Sequence, residues 1–145
     1  MARYQAGVKT TAGSLTLPVI SLYAVAGSSG TLRQLAIFNT TSTAVELKLM
    51  RLTTAGTQGA GLTESKHNPS SPAAACTAFT THSADPTLGD DLGYRWVLGA
   101  AVGAGVIETF GDTGLMIPVG ATNGIGVVVA AGTGQPCQAY LVWDE

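Results

Sequence analysis

The stretch that decides the fold is Val45-Glu46-Leu47-Lys48-Leu49-Met50-Arg51-Leu52. Val45, Leu47 and Leu49 fall on one side of an extended chain, and Glu46 and Lys48 on the other. Strict alternation of this kind marks a half-buried β-strand. Upstream, Thr31 to Asn39 has the same β-rich texture, and the polar run Asn39-Thr40-Thr41-Ser42-Thr43 separates the two. Together they read as a hairpin.

Working outward, the pattern repeats. Leu15 to Val25 is β-rich, with Pro18 marking an edge or a bulge, and Gly27-Ser28-Ser29-Gly30 is a turn. Tyr94, Trp96 and Leu98 alternate with Arg95 and Val97, and Val106, Glu108 and Phe110 alternate with Ile107 and Thr109. The glycines of Gly99 to Gly105 join these segments as a hairpin turn. Leu115 to Pro118, Gly126 to Ala131 and Cys137 to Trp143 complete the set, the last two linked by a hairpin loop at Gly132 to Pro136. About eight short strands separated by turns imply a two-sheet sandwich or a barrel.

Two regions lack this pattern. Residues 1–14 are polar and small and are expected to form an extended arm, with a single domain over 15–145. Thr53 to Pro72 is a Gly-, Thr-, Ser- and Pro-rich excursion of the kind that carries function or lies at an interface. Ala73 to Phe79 is open to one helical turn by propensity, or to β by its threonines.

Composition narrows the function classes. Only 11% of the 145 residues are charged, while Gly and Thr each number 19. A surface of Thr, Ser, Ala and Gly loses little hydration when covered, which favours an assembled state. The formal net charge is −2 and the seven Lys and Arg are scattered singly, so no nucleic-acid face is expected. The N-terminus has no apolar signal core, and no stretch is long enough to span a bilayer. Synthesis in a cytoplasm and no membrane association follow as expectations.

Chemistry-bearing residues are sparse. Cys76 and Cys137 fit no metal spacing and are expected to be two buried thiols. His67 and His82 lie in the irregular middle and are expected on exposed loops. A zinc site would have to gather His67, His82, Asp85 and Cys76, which no spacing demands. Gly99 to Gly105 is followed by a strand, whereas a phosphate cradle opens a helix. Asp90-Asp91 suits a turn, Trp96 and Trp143 suit the core, and no Gly-x-Ser-x-Gly elbow occurs. No cofactor, metal or catalytic residue is assigned, and the chain is not expected to be an enzyme.

Arg51-Leu52-Thr53-Thr54-Ala55-Gly56-Thr57-Gln58-Gly59-Ala60-Gly61-Leu62-Thr63-Glu64 resembles a segment of small structural proteins of tailed bacteriophages. So does Gly114-Leu115-Met116-Ile117-Pro118-Val119-Gly120, continuing through Asn123-Gly124-Ile125-Gly126-Val127-Val128-Val129. The resemblance runs from about Leu32 onward. It implies a jelly-roll-like antiparallel β-sandwich and a place on the virion, as a capsid decoration, or cement, protein. Such proteins sit as homotrimers on the major capsid protein. By the same analogy the arm would grip that partner, with Arg3, Tyr4 and Lys9 as the anchoring residues. A tail or baseplate protein, or a carbohydrate-binding sandwich on the virion surface, are the other expectations.

Overall fold

A computed structural model describes residues Met1–Glu145. The chain has no helix and forms β1 (Arg3–Lys9), β2 (Ile20–Tyr23), β3 (Gly30–Asn39), β4 (Val45–Leu52), β5 (Ser65–Lys66), β6 (Thr77–Phe79), β7 (Leu88–Leu98), β8 (Gly105–Thr109), β9 (Leu115–Ile117), β10 (Gly124–Ala131) and β11 (Cys137–Asp144). Two antiparallel sheets face each other. Sheet A runs β5-β1-β11-β3-β8, with β9 also on β3, and sheet B runs β6-β2-β10-β4-β7.

Setting aside the short β5, β6 and β9 leaves eight body strands. Their pairings are nested: β1 with β11, β2 with β10, β3 with β8, and β4 with β7. First pairs with last, second with seventh, third with sixth, fourth with fifth. A long hairpin rolled around a core gives this order, which is the jelly roll.

The core lies between the sheets. Leu47, Leu49, Val127 and Val129 come from sheet B, and Tyr4, Leu35, Ile37, Leu141 and Trp143 from sheet A, all essentially without solvent exposure. The alternation read in Val45 to Leu49 holds: Glu46 and Lys48 face outward and Leu47 is fully buried. Trp96 and Leu98 of β7 are buried too, with Trp96 directly opposite Leu47.

Three expectations need correction. Residues 1–14 are not a free arm. Arg3–Lys9 pairs with β11 over its whole length, from Arg3↔Asp144 to Lys9↔Gln138, and the sandwich therefore begins at residue 3 rather than 15. The pattern was present as Tyr4, Ala6 and Val8 against Arg3, Gln5, Gly7 and Lys9, but small residues weaken it. Second, none of the three hairpins forms. β3 and β4, β7 and β8, and β10 and β11 are each split between sheets A and B. Alternation tells which face is buried but not which sheet the strand joins, and their short turns cross the sandwich ends instead. Third, Ala73 to Phe79 has no helical turn, and Thr77–Phe79 extends sheet B beside β2.

The excursion between β4 and β7 supplies β5 and β6, which cap the β1 and β2 edges of the two sheets. The opposite edges, β7 and β8, carry no further strand.

Candidate interaction surfaces

The three residues expected to anchor a partner do different things. Tyr4 is buried, stacks on Trp143 with ring centroids 5.9 Å apart, and donates its hydroxyl to the Pro72 carbonyl at 3.1 Å. It has no surface to offer. Arg3 donates two hydrogen bonds to Asp144, at 2.7 and 2.9 Å. Arg33 donates to the same carboxylate at 2.6 Å and also reaches the Asp112 carbonyl. Lys9 is exposed at the end of β1. The two guanidinium groups hold the Asp144 carboxyl below its ordinary range, the Arg3 hydrogen bond contributing most.

The position of Arg33 has a local cause. The pairing of β11 with β3 slips between Val142 and Trp143, which face Gln34 and Leu32. Arg33 is the extra residue of a β-bulge. Leu32 and Leu35 both remain in the core, and Arg33 and Gln34 both turn to the outer face of sheet A.

That face holds two adjoining open depressions of about 390 and 430 Å3, sharing Gln34, His67 and Val142. The strands cross it in register. One row is Gln5, Val142, Gln34 and Thr109, and the next is Gly7, Tyr140, Ala36 and Ile107. Gly7 is required here, because a Cβ would lie 2.9 Å from that of Tyr140.

The open β7–β8 edge is a different surface. Residues 97–107 carry no charged side chain. Val97 and Val102 are each 74% exposed and Ile107 is 55% exposed. Unpaired strand edges flanked by exposed apolar residues invite association. Only part of β7 is protected. Its register against β4 slips between Lys48↔Arg95 and Met50↔Asp91, and Gly93 within that bulge has a φ of 80°. Arg95 and Asp91 close the bulge with a 2.6 Å ion pair. The segment from Arg95 to Leu98 is regular and open.

The histidines part company. His67 is exposed at the rim of the sheet A depressions, 3.3 Å from the Gln5 amide oxygen. His82 is not the exposed loop residue expected. It is 3% exposed, bonded to Ser21 and stacked on Tyr23. It belongs to a small second layer with which the excursion seals the outer face of β2. No sequence signal marked it, since a lone histidine in an irregular stretch has no pattern to report burial.

No group of three or more His, Cys, Asp or Glu side chains is placed to hold a metal ion. Cys76 and Cys137 are buried and unpaired, and burial pushes their thiols up to about 12 and about 11. Neither is ionised near neutral pH, so neither is an activated nucleophile. Asp90 and Asp91 lie on β7. Gly99 to Gly105 joins the sheets and enters a strand. The chain has no helix long and apolar enough to cross a membrane.

No family model matches the chain, and no curated protein matches it. Among solved structures, the tobacco streak virus coat protein dimer is similar over 99% of this chain and 86% of that one, with 7% identity and a TM-score of 0.27. So slight a likeness carries no argument, and the fold assignment rests on the strand order.

Proposed function

We propose that this chain is a structural protein of a tailed-phage virion, a decoration protein that binds the outer surface of the head and reinforces it. The observation that carries this reading is a jelly roll with one capped edge and one open edge whose residues 97–107 carry no charge. Jelly rolls recur in viral shells, and by analogy such a body suits a role built from surface contacts. The phage-like phrases Arg51 to Glu64 and Gly114 to Val129 point the same way. Many modest contacts, repeated over a shell, give firm attachment because each raises the effective concentration of the next.

In this reading the open β7–β8 edge joins copies of the chain into a homotrimer, and the outer rim of each copy meets the major capsid protein. The bulge at Asp91 to Arg95 confines pairing to the regular half of β7.

Imaging of virions purified with the gene intact and deleted tests the role. Density on the outer head shell that vanishes on deletion is the expected result. Density on the tail, or none, overturns it. Light scattering tests the assembly: the wild-type protein should be trimeric, and a Val97→Asp, Ile107→Asp variant monomeric.

A further inference from the structure

We propose that the outer face of sheet A is a binding groove for a neutral oligosaccharide. The inference goes beyond the shell-decoration reading and does not depend on it.

The groove joins the two depressions across β1, β11 and β3, and is open along its length. Its apolar floor is the buried Val142, which lines both depressions. Tyr140 stands beside that floor, half-exposed, between Gly7 and Ala36 in its row. The smallest side chains in the row flank the aromatic one, so the ring meets little competition from its neighbours. Gln5 and Gln34 flank Val142 in the adjoining row. Gln34 makes no side-chain hydrogen bond within the chain, and Gln5 makes one, to His67.

Each feature selects the ligand. A carboxamide both donates and accepts, as does a sugar hydroxyl, so two amides can engage neighbouring hydroxyls without leaving a group unmatched. An aromatic ring over an apolar floor suits the C–H face of a pyranose. The guanidinium groups nearby are engaged within the chain, since Arg3 and Arg33 share the Asp144 carboxylate and Arg33 also donates to the Asp112 carbonyl. β11 and β3 offer an extended peptide no free strand edge, since each is paired on both sides, and β5 covers β1 at Tyr4 and Gln5. An open trough accommodates a chain of sugars better than a single one.

The test uses the intact protein on an array of immobilised neutral and acidic oligosaccharides. The expected result is retention by neutral members that persists in 0.5 M salt. Tyr140→Ala and Gln34→Ala should each weaken it about tenfold, the loss of one good contact, while Val97→Ser on the opposite edge leaves it unchanged. Gln34→Ala touches no core residue and decides the matter if Tyr140→Ala does not fold. Retention of acidic members alone, abolished by salt, overturns the proposal in favour of an ionic patch. No retention, or retention indifferent to both groove variants, overturns it outright. So does light scattering that shows self-association abolished by Gln34→Ala, which would make the groove a contact between copies.

Discussion

His82 Nε2 lies 2.9 Å from Ser21 Oγ beneath the excursion, and its Nδ1 is the one buried side-chain polar atom without a hydrogen-bond partner. Ser21 is fully buried and the His82 ring stacks on Tyr23. Burial lowers the His82 pKa from its ordinary 6.5.

The sign of the resulting pH dependence follows. The fold favours neutral His82, so its stabilisation is complete above the unfolded value near 6.5 and is lost as pH falls towards the lowered folded value. Melting temperature should therefore drop as pH falls from 6.5, and a His82→Leu variant should show a flatter profile there. His82→Ala should cost about 1–3 kcal/mol, because it strands the Ser21 hydroxyl and empties the layer. Denaturant titration of both variants checks this. An unchanged midpoint in His82→Ala would show the layer to be dispensable.

Asp144 gives a second, lower window. Its carboxyl is held below the ordinary 3.8 by Arg3 first and then Arg33. That stabilisation is present above the unfolded value and disappears as pH falls through the folded one. Asp144→Asn should melt earlier than wild type at pH 7, and the two curves should converge in strong acid. Parallel curves over the whole range would count against the pairing.

The core pair Leu47 and Trp96 faces across β4 and β7. Truncating either to Ala should cost about 2–5 kcal/mol through the cavity it leaves. Trp96→Ala also strands Glu108, whose carboxylate accepts from the indole at 3.2 Å across the open edge. Chemical denaturation of the two variants measures both effects.

Deleting residues 1–9 should abolish folding rather than leave a folded body. The deletion removes the strand between β5 and β11 and takes Tyr4 and Ala6 out of the core. A cooperative melt in the truncated protein would refute this.

Strand existence was legible where large apolar residues alternate with polar ones, as in Val45 to Leu49 and Tyr94 to Leu98. It was illegible in Arg3 to Lys9, where alanine and glycine dilute the same period. Sheet membership was illegible throughout. A turn such as Gly99 to Gly105 serves equally to reverse within one sheet or to cross to the other, and the choice is made by the distant strands β4 and β3, which pair with β7 and β8. Of the three proposed anchors, the sequence showed what Arg3 and Tyr4 are but not that Asp144 and Trp143 would engage them. The sheet A groove was likewise unreadable, because Gln5, Gln34 and Tyr140 come from distant strands and meet only through the register and the bulge at Arg33.

The nested strand order also dictates when the molecule can fold. β11 fills the gap between β1 and β3, and β10 fills the gap between β2 and β4. Both central places are taken by strands that follow every other strand of the fold in the chain. Until Gly124–Asp144 has been synthesised, neither sheet has its middle, and β1 and β2 wait with apolar faces uncovered. Such distant pairing makes closure slow, in the millisecond-to-second range typical of all-β sandwiches. The nascent chain is therefore exposed to misassociation for most of its synthesis, and its low charge gives it little self-repulsion to delay that.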